Sequence, residues 1–127
     1  MLQNTPCPAH PALECWRWLA FKIACALEPD SPELLDRYLD AGAQLLRLGL
    51  IDERELAEQT LDLLYRSACE VLLPWHWRCQ CLDRLFLPLE ALARLSGQDP
   101  QLQGRVRSLR VRLACTEMLP SEAPPPF

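Results

Sequence analysis

The chain has little glycine, a single lysine, and no apolar run long enough to cross a membrane. Only 4 of its 127 residues are glycine, and it contains no Gly-rich phosphate loop, nucleophile elbow or paired-carboxylate motif. The longest apolar run, residues 18–27, includes Lys22 and falls well short of the roughly 20 residues that a bilayer span needs. The sequence therefore predicts a non-catalytic protein without a transmembrane segment.

The seven cysteines are an odd number, which disfavours a complete disulfide framework. The N-terminal stretch MLQNTPCPAH lacks the basic start and apolar core of a secretory signal. Both features predict a reducing, cytoplasmic location. All basic residues except Lys22 are arginine, a bias that a GC-rich genome explains, so we expect a bacterial source.

The net charge of −4 is unevenly distributed. Ten of the acidic residues and only three basic ones lie between residues 28 and 62, so the rest of the chain is basic overall. An acidic total argues against broad affinity for nucleic acids, which depends on neutralising phosphates. We expect attraction between the acidic segment and the remainder of the chain.

Leucine-rich composition, scarce glycine and the lack of long Val, Ile and Thr runs favour helices over strands. Prolines concentrate at both ends, so residues 1–10 and 119–127 are predicted to be flexible tails flanking one domain over 11–118. The predicted fold is all-α, a compact bundle of about five helices. These are expected at 11–28, 32–48, 53–73, 75–95 with a kink near Pro88, and 100–118.

The stretch RLGLIDERELAEQ carries the clearest local signal. Gly49 can end one helix in a left-handed turn, and Asp52 can cap the next with Glu55 three residues later. So short a link predicts an antiparallel helix hairpin. Within the first helix of this hairpin, Gly42 indicates a close helix crossing.

Tryptophans occur in two W-x-W pairs. Residues two apart on a helix point about 200° apart, so one member of each pair should face the core and the other should face outward. On a helical wheel Trp18 lies on the same side as Lys22, and Trp77 lies on the same side as Arg84. Trp18 and Trp77 are therefore the expected outward members. Exposed tryptophans are typical of binding hot spots, although burial beneath a tail is the alternative. The predicted partner-binding residues are Trp16, Trp18, Phe21, Trp75 and Trp77.

The stretch LLPWHWRCQCL raises the question of a metal site. On a regular helix its histidine and two cysteines point in different directions, so they cannot share an ion. The one four-ligand zinc site that can be assembled combines Cys7 and His10 with His76 and Cys79. Buried cysteines are common in ordinary cores, and the haem-attachment motif is absent. We expect no cofactor and keep a metal or thiol sensor as an alternative.

The arginine-rich stretch RVRSLRVR, residues 105–112, invites a nucleic-acid interpretation. On a helix, Arg107 and Arg110 point away from the apolar stripe, and the four arginines do not form one dense patch. Pairing of these arginines with the acidic segment competes with this alternative.

The leading functional expectation is a small interaction protein, an adaptor or regulator. The first helix carries more apolar surface than a one-sided helix needs, and tryptophans recur at positions expected to face outward. We expect binding to a protein partner, or to a second copy as a homodimer, through this helix and the corner formed by Trp75 and Trp77.

Overall fold

A computed structural model describes residues 10–122 of the chain. This part contains six α-helices and no β-strand, which confirms the all-α helical bundle. The helices are α1 (Pro11–Ala24), α2 (Glu33–Arg47), α3 (Glu53–Cys69), α4 (Trp75–Asp83), α5 (Phe86–Ser96) and α6 (Pro100–Cys115). None of them is both long and apolar enough to cross a bilayer.

The turn between α2 and α3 forms as predicted. Gly49 takes a left-handed conformation with φ +70°, and the Leu50 amide donates to the Leu45 carbonyl at 2.9 Å, which closes a C-terminal Schellman turn. The Asp52 carboxylate accepts a hydrogen bond from the Glu55 amide at 2.7 Å. Adjacent residues therefore determine both the end of α2 and the start of α3.

Gly42 of α2 faces the side chains of Leu56 of α3 and Trp16 of α1. A Cβ atom at Gly42 would lie 2.8 Å from Leu56 Cδ1, a distance that real Cβ atoms do not tolerate. Four residues earlier in α2, the Tyr38 hydroxyl lies 3.4 Å from Thr60 Oγ1, four residues later in α3. These side-chain contacts run in opposite directions along the two helices, so α2 and α3 are antiparallel, but their backbones make few close contacts.

The core is one cluster of buried side chains to which all six helices contribute. Trp16 of α1 stacks on Tyr38 of α2 with ring centroids 5.5 Å apart. Trp77 of α4 is fully buried and donates its indole N–H to the Ile23 carbonyl at 3.0 Å. Other fully or almost fully buried side chains are Ile23, Leu34, Leu35, Leu45, Leu64, Cys81 and Leu92.

The first helix ends at Ala24 rather than at the predicted residue 28. The Ile23 carbonyl accepts from the Ala26 amide at 3.1 Å as well as from the Trp77 indole, so both of its lone pairs are used. The Leu27 amide bonds to the Lys22 carbonyl instead, and Ala26 adopts a left-handed φ of +48°. A tertiary contact thus ends α1 before Pro29 could.

The predicted helix over 75–95 is divided into α4 and α5. The break falls at Arg84 and Leu85, not at Pro88. Proline has no N–H to donate to the carbonyl four residues earlier, which is that of Arg84. The Leu87 amide donates instead to the Arg84 carbonyl at 3.2 Å. The helical hydrogen-bond ladder is therefore interrupted one turn before the proline. Pro88 then occupies the first turn of α5. Two other helices also end earlier than predicted, α3 at Cys69 and α6 at Cys115.

The chain after α6 returns to the turn between α3 and α4. Ser121 Oγ donates to the Leu73 carbonyl at 2.6 Å and accepts from Arg78 Nη1 at 2.9 Å. The Glu122 amide donates to the Val71 carbonyl at 2.9 Å. Within the C-terminal tail predicted from residue 119, Ser121 and Glu122 therefore hydrogen-bond to the helical domain.

The remaining tail predictions cannot be compared with the fold. Residues 1–9 and 123–127 lie outside the described residues. His10, the last residue of the predicted N-terminal tail, is the N-cap of α1. Hydrogen bonds to the helical domain are thus made by residues as early as His10 and as late as Glu122.

Candidate functional site

The outward face of α1 carries a pair of stacked aromatic side chains. Trp18 is 55% exposed and Phe21 is 52% exposed, and their rings stack with centroids 5.5 Å apart and planes inclined by 17°. We call this pair the aromatic shelf. The prediction that Trp18 faces outward is confirmed.

Lys22 holds the shelf in place from one side. Its ammonium nitrogen lies 5.9 Å from the Trp18 ring centroid, within the range of a cation–π contact. The same ammonium forms an ion pair with Glu28. The hydrogen bond from Lys22 lowers the pKa of the Glu28 carboxyl below its ordinary value. Both rings of the shelf thus make intramolecular contacts, with each other and, for Trp18, with Lys22.

The opposite face of α1 accounts for the exposure of the shelf. Trp16, Leu19 and Ile23 are buried in the core, which fixes the rotation of the helix. Trp18 lies on the opposite side of the helix from these buried positions, so its side chain faces outward. An aromatic pair left in water in this way is typical of an interaction site rather than of an ordinary solvated helix face.

Two of the predicted partner-binding residues do not lie on the surface. Trp16 and Trp77 are buried, and the expectation that Trp77 faces outward is wrong. Trp77 points inward because the core lies on the side of α4 that meets Ile23. Trp75 is the outward member of its pair, 47% exposed.

Beneath Trp75 lies Arg78, a completely buried arginine. Its guanidinium carbon is 5.1 Å from the Trp75 ring centroid. Its Nε donates to the Ala68 carbonyl at 2.8 Å, and its Nη1 donates to Ser121. Arg78 thus joins the end of α3, the start of α4 and the C-terminal segment, which is a structural role.

The structure does not bring the proposed zinc ligands together. His10 Nδ1 accepts a hydrogen bond from the Ala12 amide at 3.0 Å, at the N-terminus of α1. His76 Nε2 lies 3.2 Å from Asp30 Oδ1, in the loop beyond the other end of α1. A 14-residue helix is about 20 Å long at 1.5 Å per residue, so the two histidines cannot bind one ion.

The remaining predicted ligands add no metal centre. Cys7 lies outside residues 10–122, and Cys79 is partly buried on α4. No group of three or more His, Cys, Asp or Glu side chains in the described part of the chain is arranged to hold a metal. The six cysteines of that part are unpaired.

Buried groups in the core are poorly suited to catalysis. Burial raises the pKa of the Cys81 thiol to about 12 and that of the Tyr38 hydroxyl to about 12. A thiol acts as a nucleophile only as the thiolate, and at neutral pH Cys81 is almost entirely protonated. Neither residue is placed to supply acid–base or nucleophilic chemistry.

The arginine-rich helix is partly neutralised within the chain. Arg105 forms a bidentate pair with Glu58, with Nη2 to Oε1 at 2.6 Å and Nε to Oε2 at 2.9 Å, and this hydrogen bonding raises the pKa of Arg105 further. Arg84 pairs with Asp36 and Arg94 with Glu53. Acidic residues of the segment 28–62 therefore form ion pairs with basic residues elsewhere in the chain, as expected.

Arg107 and Arg110 are the residues of the nucleic-acid alternative. Both are exposed on α6, as the helical periodicity predicts. Ser108 and Leu109 lie between them in the sequence, and Leu109 is buried. Together with Arg112, which is also exposed on α6, Arg107 and Arg110 form a small positive surface compared with the multiple phosphate contacts of nucleic-acid-binding proteins.

A groove of about 610 Å³ runs between α1 and α3. Trp16 and Tyr38 contribute to its lining. Four of the charged side chains along it form two ion pairs, Arg66 with Asp62 at 3.0 Å and Arg105 with Glu58. Arg17 and Glu70 also line the groove and form no ion pair with any residue in 10–122.

Sequence reasoning missed a second exposed apolar group at the break between α4 and α5. It consists of Leu82, Phe86 and Leu87. The break changes the direction in which Phe86 points relative to the continuous helix that the sequence predicts there. The available signal was Pro88, since proline is favoured in the first turn of a helix.

The chain matches no protein-family model, no curated protein and no solved structure. Its function must therefore be argued from its own residues.

Proposed function

We propose that this chain is a non-catalytic protein-interaction module, an adaptor or regulator, that binds its partner through the aromatic shelf of α1. The observation that carries the proposal is the stacked pair Trp18 and Phe21, each about half exposed on a helix whose opposite face is buried in the core.

The shelf has the properties of an interaction hot spot. Tryptophan is strongly enriched among residues that dominate binding energy. Stacking and the Lys22 contact already restrict both rings, so binding requires little further loss of side-chain freedom. Arg17 and Lys22 supply a polar rim next to the apolar centre, an arrangement common in protein interfaces.

A reducing compartment, the bacterial cytoplasm, forms part of this proposal. The unpaired state of the six described cysteines supports it, because several exposed thiols would be prone to oxidation elsewhere.

The proposal is tested with Trp18→Ala combined with Phe21→Ala, compared with Val111→Ala. Val111 is 63% exposed on α6 and serves as the matched control. Chemical cross-linking and mass spectrometry in cells should show contacts, to another protein or to a second copy, that the shelf variant loses and the control keeps. An unchanged set of cross-links in the shelf variant would contradict the proposal.

A further inference from the structure

Resting on the proposed function, we infer that the partner of the shelf is a second copy of this chain, docked with the two α1 helices antiparallel and Trp18 at the two-fold axis. Such a contact is isologous, so both copies use the same surface.

The charges on α1 are self-complementary about Trp18. Glu14 lies four residues before Trp18, and Lys22 lies four residues after it. In an antiparallel helix pair centred on Trp18, Glu14 of each copy therefore faces Lys22 of the other, which gives two symmetric ion pairs. Glu14 is exposed and forms no ion pair with any residue in 10–122, so its carboxylate is free for this contact.

Lys22 can serve both copies. Its ammonium group has three donors, and Glu28 of its own chain engages it from one side. The intramolecular pair keeps the ammonium close to the shelf, where the Glu14 carboxylate of the second copy would arrive.

Side-chain sizes also suit this register. Phe21 lies three residues after Trp18, and Cys15 lies three residues before it. In the antiparallel pair each Phe21 ring meets the small, exposed Cys15 of the other copy. A large group then faces a small one, which lets the two surfaces interdigitate.

Other arrangements of the same helix are disfavoured by charge. Parallel packing places Glu14 against Glu14 and Lys22 against Lys22. Like charges placed opposite one another penalise an interface strongly. Moving the antiparallel centre to Phe21 places Glu14 opposite a position beyond the end of α1 at Ala24, so the two ion pairs are lost. The register centred on Trp18 is therefore the one that the sequence of α1 favours.

One helix face buries less than the roughly 800 Å² per partner of a standard interface. We therefore expect a concentration-dependent dimer with a dissociation constant on the order of micromolar. It should be visible by sedimentation of the full chain in reducing buffer.

The register is tested by charge reversal. Glu14→Lys and Lys22→Glu should each weaken self-association at least about tenfold, since each places like charges at both symmetric contacts. Mixing the two variants places an ammonium group opposite a carboxylate at both contacts again, so association should return as a heterodimer. Glu90→Lys, an exposed position on α5, makes the same charge change away from α1 and should leave the dimer unchanged.

Circular dichroism of each variant verifies that the fold is intact. Dimerisation that Trp18→Ala abolishes but that charge reversal leaves untouched would overturn the register. A parent protein that remains monomeric, while the shelf still binds a different protein, would overturn this inference and leave the proposed function standing. Loss of both kinds of shelf-dependent binding would overturn both.

Discussion

The indole N–H of Trp77 donates to the carbonyl of Ile23 at 3.0 Å and so joins α4 to the last turn of α1. This bond uses a carbonyl that a longer α1 would have needed for its own ladder. It also fixes which face of α1 is buried, because Ile23 lies completely inside the core. The exposure of the aromatic shelf follows from the same contact.

Replacing Trp77 with phenylalanine should destabilise the fold. Trp77→Phe removes the indole N–H and part of a fully buried ring, at a cost of about 2 kcal/mol. The half-exposed Trp75 provides the control, and Trp75→Phe should change stability by less than about 1 kcal/mol. Urea unfolding measures both, and equal effects would contradict the assignment of Trp77 as the inward member of the pair.

Ala26→Gly should stabilise the protein. Ala26 has φ +48°, a left-handed conformation that costs a non-glycine residue about 1–2 kcal/mol. Glycine removes this strain but adds freedom to the unfolded chain, so we expect a net gain of about 0.5–1 kcal/mol. Ala43→Gly, inside α2, should instead lower stability by about 1 kcal/mol. Thermal unfolding distinguishes the opposite signs, and a loss at residue 26 would argue against the left-handed turn.

Gly42→Ala should stabilise the fold less than Gly104→Ala does, because the new methyl group would overlap Leu56 Cδ1 and the Leu56 side chain must shift. Gly104 in α6 is the control, since a Cβ there would meet nothing closer than Arg107 Nη2 at 3.9 Å. Gly104→Ala should raise stability by about 0.5–1 kcal/mol through helix propensity. Equal gains at residues 42 and 104 would show that a methyl group at residue 42 does not meet Leu56.

Alkaline pH should destabilise the fold through Tyr38. Burial raises its pKa from 10.0 to about 12, so the folded state keeps the proton that the unfolded state loses. The contribution is fully present below pH 10 and is lost as pH rises towards 12. In a Tyr65→Phe variant the tyrosinate absorbance reports Tyr38 alone. It should titrate near 12 when folded and near 10 in denaturant, whereas a folded midpoint near 10 would contradict the burial.

Features that depend on neighbouring residues could be predicted from the sequence. The end of α2 at Gly49 and the cap of α3 at Asp52 need only local hydrogen bonds, and the outward position of Trp18 needs only helical periodicity. These signals were enough to predict the hairpin and part of the candidate surface.

Features that depend on distant contacts could not. Nothing in the residues around Arg78 indicates burial, yet it is completely buried. Its hydrogen bonds are accepted by Ala68, 10 residues earlier, and by Ser121, 43 residues later. Because Arg78 is buried, the rotation of α4 about its own axis places Trp77 in the core and Trp75 on the surface. The separation of His10 from His76 likewise follows from how the whole of α1 is placed, which residue spacing does not reveal.

Native mass spectrometry of the untagged chain, purified in reducing buffer without chelator, tests the central claim most directly. We predict a dimer of unmodified 14.5 kDa chains that becomes monomeric when Trp18 is replaced by alanine. A dimer of equal abundance in the Trp18→Ala variant would show that α1 does not form the contact. A dimer held by a bound metal and lost with a chelator would also contradict the account, in favour of a cysteine and histidine site.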